Sequence, residues 1–200
     1  MTVAVLALQG AFIEHCNKVE ALGERCIELR CKSDLERPFD RLILPGGEST
    51  TQAKLLHELD MADTLRQRIT DGMPTLATCA GAILLARKVD GAGDLKNLDT
   101  HAASRRIQVM GFATMPITVK RNAYGRQLGS FRTEGRFGDW DDIPMTFIRA
   151  PFITELDDEC QIMAQIDGRI VAARYRNQLA CAFHPELDQD DRIHSLFLGM

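Results

Sequence analysis

The sequence predicts an α/β fold: a single domain with a mostly parallel, mixed sheet flanked by helices on both faces. Three observations carry this. Short apolar runs of strand length alternate with helix-period segments, the pattern of βαβ units. One run, residues 41–44, ends at Pro45-Gly46-Gly47, and another, residues 75–77, leads through Thr78 to Cys79 and directly into an apolar helical run. Turns of this kind at the carboxyl ends of strands are where open α/β sheets build their crevices. Size agrees, since 200 residues that are 45% hydrophobic and 26% charged suit one domain with a substantial core rather than two.

In order, residues 2–8 form a buried strand and 11–22 its following helix. The alternation at 25–30 is a second strand and 41–44 a third. A helix starts near Glu48 or Ser49, and another follows Met61. The strand at 75–77 enters a sharp turn at Cys79, with a helix over 80–86 behind it. From Asp90-Gly91-Ala92-Gly93 through Arg106 the pattern lapses into a polar, basic loop. Strands are then predicted at 115–120, 145–149, 162–166, 170–175 and 179–183, with a short closing helix from Asp191. No internal repeat or low-complexity tract interrupts this.

Charge and cysteine usage narrow the function. A formal net charge of -4 with no long basic run gives no footprint for nucleic acid or an anionic membrane. The apolar opening, residues 1–12, lacks a basic leader and is broken by Gln9, Gly10, Glu14 and His15, so neither a secretory signal nor a membrane span is expected, and the predicted location is cytoplasmic. The six cysteines (Cys16, Cys26, Cys31, Cys79, Cys160, Cys181) form no C-x-x-C pair and are too sparse for a disulfide scaffold, so reduced thiols and no structural zinc are expected. Core packing accounts for Cys26, Cys31 and Cys181. His15, His57, His101 and His194 stand in polar or helix-surface contexts and are assigned no chemistry.

Cys79 is different. A side chain on a strand-to-helix turn is pushed out of the backbone, and small neighbours such as Ala80 and Gly81 let an acyl group approach N–H donors at the start of the helix. Standing alone, a cysteine before an apolar helix is more often a small core residue. Here Phe183-His184-Pro185-Glu186 offers it partners. Proline disfavours helix for the residue before it, so the tetrapeptide is predicted to be extended, turning His184 and Glu186 to one side. The imidazole can take the thiol proton while the carboxylate fixes its tautomer. Cys181-x-x-His184 lacks the second ligand pair that a metal site would need.

The glycines of Pro45-Gly46-Gly47-Glu48-Ser49-Thr50 have two readings. On its own the segment simply reverses the chain. Its place after a strand and beside the elbow also makes its backbone N–H groups a candidate oxyanion cradle. It is not a phosphate loop, because no Gly-Lys-Ser/Thr follows at the required spacing.

Taken together, Gly46-Gly47-Glu48, Thr78-Cys79-Ala80-Gly81 and His184-Pro185-Glu186 resemble the motifs of class I (triad) glutamine amidotransferases, which have a flavodoxin-like fold. More narrowly, Leu8-Gln9-Gly10-Ala11, Leu44-Pro45-Gly46-Gly47-Glu48-Ser49-Thr50-Thr51, Arg121-Asn122-Ala123-Tyr124-Gly125-Arg126-Gln127 with Ser130-Phe131, and Phe147-Ile148-Arg149-Ala150-Pro151 resemble the glutaminase-subunit family of pyridoxal 5'-phosphate synthase.

The resemblance implies that Cys79 attacks the side-chain amide of L-glutamine to give a glutamyl thioester and ammonia. His184, oriented by Glu186, would move the protons, and backbone N–H groups of Gly47 and Ala80 would form the oxyanion hole. It implies glutamine binding by Gly46, Gly47, Glu48, Arg121, Ile148 and Arg149. It further implies a (β/α)8-barrel synthase partner that receives the ammonia, an assembly with twelve copies of each subunit, weak activity until docking orders the oxyanion loop, and no cofactor or metal on this chain. Two rivals stand beside it: a glutaminase of another synthase, such as imidazole glycerol phosphate synthase, and a catalytically silent regulatory subunit.

Three features depart from that family pattern. Ala77 stands where glycine is usual, the stretch around 90–110 is longer and is expected to be a surface insertion, and Arg132-Thr133 replaces an acidic residue after Ser130-Phe131.

Overall fold

The computed structural model describes residues 1–90, 111–121 and 130–200. Most of the 90–110 stretch therefore lies outside the described residues, as do His101 and residues 122–127 of the arginine-rich motif. The first half runs β1 (Thr2–Leu6), α1 (Phe12–Ala21), β2 (Arg25–Leu29), β3 (Arg41–Leu44), α2 (Ser49–Glu58), α3 (Ala62–Thr70), β4 (Thr75–Thr78), α4 (Ala80–Leu85) and β5 (Ala86–Asp90). The second half adds β6 (Met115–Lys120), β7 (Ser130–Phe137), β8 (Trp140–Ile148), β9 (Phe152–Leu156), β10 (Gln161–Ile166), β11 (Arg169–Tyr175), β12 (Gln178–Cys181) and α5 (Arg192–Leu198).

Five strands lie parallel in the order β2-β1-β3-β4-β12. The near-continuous apolar composition of β1 and β3 follows from burial on both faces, while β2, at the edge, keeps Arg25 and Glu28. Side chains alternate: Val3, Val5, Ile43 and Leu76 pack with α1 and α5 through Val19, Ile193 and Phe197. Ala4, Leu6, Leu42, Leu44 and Ala77 pack with α2, α3 and α4 through Leu56, Leu65 and Leu84. Helices thus cover both faces, as predicted. Beyond β12 the sheet turns antiparallel through β11 and β10 and ends in the β7–β8 hairpin. A branch of β5, β6 and β9 joins it at Ile153 and Ile170.

Register places the site. Leu44 lies opposite Ala77, and Thr78 opposite Cys181, so β3, β4 and β12 end level with one another. The Gly46-Gly47 turn, Cys79 and the run to His184 therefore leave the sheet at one edge. Gly81 lets α4 sit directly on this edge, because a Cβ there would collide with the Leu44 carbonyl. Ala77 is a fully buried β4 residue between β3 and β12, so its methyl group is absorbed into the core.

Several sequence expectations need correction. Residue 86 begins β5 rather than ending a helix, and β7 and β9 were unpredicted. In β7 the charged Arg132, Glu134 and Arg136 interleave with Gly135, which hides a strand whose pairing with β8 supplies its order. β8 is longer than the 145–149 expected. Pro144 would have ended a central strand, but β8 is the last strand of the main sheet path and tolerates it.

The cysteines also differ. Cys16 of α1 and Cys26 of β2 form a disulfide, with Cα atoms 5.4 Å apart, because α1 packs its buried face against the strand that follows it. Cys31 is exposed rather than in the core, since it lies past the end of β2 at a short 3-10 turn, Lys32–Glu36. Cys181 is fully buried as expected, and burial pushes its thiol up. Among the described residues no helix is long and apolar enough to cross a membrane.

Candidate active site

Cys79 sits between β4 and α4 with φ 46° and ψ -100°. Positive φ at a non-glycine residue typically costs on the order of 1–3 kcal/mol and needs surrounding structure to hold it. Here the Cys79 N–H donates to the Cys181 carbonyl at 2.8 Å, anchoring the elbow to β12. Cys79 is 7% exposed, and its Sγ lies 3.8 Å from the Ile148 carbonyl.

His184 follows β12, and its N–H donates to the Thr146 carbonyl at 2.8 Å. Its Nδ1 lies 2.6 Å from Glu186 Oε1. This contact does not come from an extended tetrapeptide. Pro185–Leu187 is a 3-10 turn with Pro185 in its first turn, and the turn, rather than strand alternation, brings the carboxylate back to the ring. The other ring nitrogen, Nε2, is buried on the Cys79 side and finds no oxygen or nitrogen partner among the described residues. Gly46 fits between ring and nucleophile: a Cβ there would run into the His184 ring and lie 3.3 Å from the Cys79 Cβ.

Burial favours the neutral imidazole, but the Cys79 side chain and Glu186 outweigh it and raise the His184 pKa to about 10. For Glu186, burial favours protonation, yet His15 and His184 hold its carboxyl below the usual range. A sulfur nucleophile, a ring that holds a proton at neutral pH and an ionised carboxylate thus form one contiguous set, suited to nucleophilic attack on an acyl carbon.

The thiol opens into a cleft of about 200 Å³. Of the residues singled out from sequence, Gly47, Glu48, Cys79, Ala80, Arg121, Ile148, Arg149 and His184 line it. Gly46 and Glu186 stand behind that wall. Glu48 and Arg149 pair at 2.9 Å and are largely exposed, presenting one charge of each sign. Among the described residues no group of three or more His, Cys, Asp or Glu is placed to hold a metal ion. Arg132, the departure noted above, pairs with buried Asp188 at 2.8 Å.

Sequence reasoning missed several residues. Gln9, Ser49 and Ile83 also line the cleft. Gln9 accepts the Glu48 N–H at 2.7 Å, and its own carbonyl accepts from Gln52 at 2.9 Å. Its position in the Leu-Gln-Gly-Ala block was the available signal. His15 and His194, read as surface-like, are both fully buried. His15 touches Thr78, Glu186 and His194, at 3.1, 3.4 and 3.0 Å. His57 is exposed.

A model of the SNO glutamine amidotransferase family matches residues 5–200. The chain is similar to "Pyridoxal 5'-phosphate synthase subunit PdxT" of Desulfitobacterium hafniense, 54% identical over 99% of this chain and 92% of the relative. The protein of the same name from Methanocorpusculum labreanum is 47% identical over 100% of this chain and 97% of the relative. A solved structure described as a glutamine amidotransferase superposes with a TM-score of 0.86 at 36% identity, covering 98% of this chain and 97% of that one.

Proposed function

The chain belongs to the SNO glutamine amidotransferase family, and from that premise we propose that it is the glutaminase component of a pyridoxal 5'-phosphate synthase, hydrolysing L-glutamine to L-glutamate and ammonia for a partner subunit. The observation that carries the chemistry is the His184 Nδ1 to Glu186 Oε1 contact of 2.6 Å behind a thiol held at φ 46°.

The His184 ring, its pKa raised to about 10 and so already charged at neutral pH, holds the proton beside the sulfur as sulfur attacks the glutamine side-chain carbonyl carbon. The carbonyl oxygen becomes an oxyanion facing the backbone N–H groups of Gly47 and Ala80, where removing one such donor typically costs on the order of 3 kcal/mol in the barrier. His184 returns the proton to the departing nitrogen, the C–N bond breaks, and ammonia leaves a glutamyl thioester on Cys79. Water then attacks the thioester, giving one proton to His184 and through it to sulfur, and glutamate is released. Glu186 stays ionised and holds the ring in one tautomer throughout.

Substrate glutamine carries an ammonium and a carboxylate beyond its amide. Glu48, Arg149 and Arg121 supply matching charges at the cleft, with Gly46, Gly47 and Ile148 shaping its walls. Ammonia released into water at neutral pH would be protonated and lost, so a docked synthase partner, a (β/α)8 barrel in an assembly with twelve copies of each subunit, receives it. The reading treats residues 1–200 as one amidotransferase domain with a surface insertion around 90–110, acting in the cytoplasm. Relatives 54% and 47% identical are named for pyridoxal 5'-phosphate synthase, which favours this synthase over imidazole glycerol phosphate synthase. The intact thiol, ring and carboxylate favour an active enzyme over a silent subunit.

The test is pyridoxal phosphate formation with the cognate synthase, comparing wild type with Cys79→Ala. The variant is expected to fail with glutamine yet support synthesis from an added ammonium salt. Equal glutamine-driven rates would refute the assignment.

A further inference from the structure

Behind the reacting groups lies a buried pair of imidazoles that the mechanism above does not use. His15 projects from α1 with no solvent exposure. Its Nε2 is 3.1 Å from the Thr78 hydroxyl and 3.4 Å from Glu186 Oε2, the carboxylate oxygen that His184 leaves free. Its Nδ1 is 3.0 Å from His194 Nε2.

The contacts select a tautomer. Were the His15 proton on Nδ1, it would point to His194 Nε2, forcing the His194 proton onto Nδ1, a buried atom without a partner. The His15 Nε2 lone pair would then face a carboxylate oxygen that has no hydrogen-bond donor among the described residues. With the proton on Nε2, His15 donates to Thr78 at 3.1 Å, turns the same N–H toward the carboxylate oxygen 3.4 Å away and accepts from His194, so neither ring is left with an unpaired N–H. An unpaired buried charge or N–H costs more than an unused lone pair.

We propose that His15, as its Nε2–H tautomer, is a positioning residue that clamps Glu186 from the side opposite His184. This rests on the glutaminase reading above. A carboxylate held through one oxygen can swing about its last side-chain bond. The His15 N–H, 3.4 Å from Oε2, opposes that swing and favours Oε1 on His184. The same ring reaches Thr78, whose hydroxyl accepts the Gly46 N–H at 3.0 Å, so α1 braces both the carboxylate and the glycine turn. Glu186 and His184 face His15 from beyond β12, His194 from α5 and Glu14 from its own helix, with Lys18 acting on His194. Burial keeps His15 neutral, so it holds a fixed hydrogen bond rather than carrying a proton.

Three variants, assayed in the complex with the synthase partner, test this. His15→Gln puts an amide N–H near the Nε2 position, His15→Asn puts one near Nδ1, and His15→Leu has none. Loss of the N–H that faces the charged carboxylate predicts about a tenfold fall in kcat for His15→Leu and His15→Asn, with KM for glutamine changed less than about twofold. Without the donor Glu186 is easier to protonate and His184 less well held, so the pH midpoint for alkylation of Cys79 by iodoacetamide rises by about one unit in both. His15→Gln retains most of both properties. Unchanged kcat and midpoint in folded His15→Leu would overturn the proposal, as would a His15→Gln that falls as far as His15→Asn. If His15→Leu does not fold, the Gln and Asn pair decides alone. Alkylation needs no glutamine, so a wild type that fails to hydrolyse glutamine refutes the glutaminase reading, while the midpoints still judge His15.

Discussion

The Gly46 N–H donates to the Thr78 hydroxyl at 3.0 Å, so the glycine turn after β3 is fastened to the residue immediately before Cys79. Thr78→Val keeps the shape and removes the acceptor, leaving a buried N–H unpaired. The expected cost is about 1–3 kcal/mol. It should appear as a melting temperature several degrees lower for a chain of this size and as a reduced kcat for glutamine. An unaltered melt and unaltered kinetics would mean that the bond does nothing.

Gly46→Ala would set a methyl group against the His184 ring, with Nδ1 2.9 Å away. The ring must then shift from its place beside the thiol. Displacements of this order cost about a hundredfold in rate, so glutamate release should fall by that factor while circular dichroism stays native. A fully active variant would show that the ring has room to move.

Stability should depend on pH in opposite senses on the two sides of neutrality. His184 titrates near 6.5 when unfolded and at about 10 when folded, so its charged ring contributes fully below pH 6.5 and loses that contribution as pH rises toward about 10. The urea midpoint of wild type minus that of His184→Gln should shrink across this window. Burial lowers the folded values of His15 and His194, so what they preserve above pH 6.5 is lost on acidification, and His194→Gln should soften that loss. A His184→Gln difference that stays flat from pH 6.5 upward would contradict the first half of this account.

The Cys16–Cys26 disulfide spans a sequence separation of 10. Closing a loop of that length stabilises by about 2–3 kcal/mol in the chain-entropy picture. Adding a reductant should lower the wild-type melting temperature and leave a Cys16→Ser, Cys26→Ser double variant unaffected. Equal responses of the two proteins would rule out a stabilising bridge.

The parallel half of the fold was legible because β1, β3 and β4 are short, mostly buried apolar runs leading to glycine or to a small-residue elbow. The antiparallel half was less so. β7 carries a charge at every second position and a glycine, and only its partner β8 makes it a strand. Within α1 the apolar signal pointed the wrong way: Ile13 is 55% exposed, whereas His15 is fully buried. The helix is phased by contacts of His15 with Thr78 and Glu186, residues 63 and 171 positions further along the sequence, which no local periodicity can report. Cys79, His184 and Glu186 were legible as residue types in a known order. The turn that joins His184 to Glu186 was not, because Pro185 excludes helix for His184 but starts a 3-10 turn itself.

Among the described residues β12 is the last strand in sequence, yet it lies beside β4 and delivers His184 to a cysteine synthesised more than a hundred residues earlier. During translation the thiol emerges without its base and stays chemically idle until the segment carrying His184 has followed it out of the ribosome. Any truncation ahead of Gln178 therefore yields a chain with a nucleophile and no means of activating it.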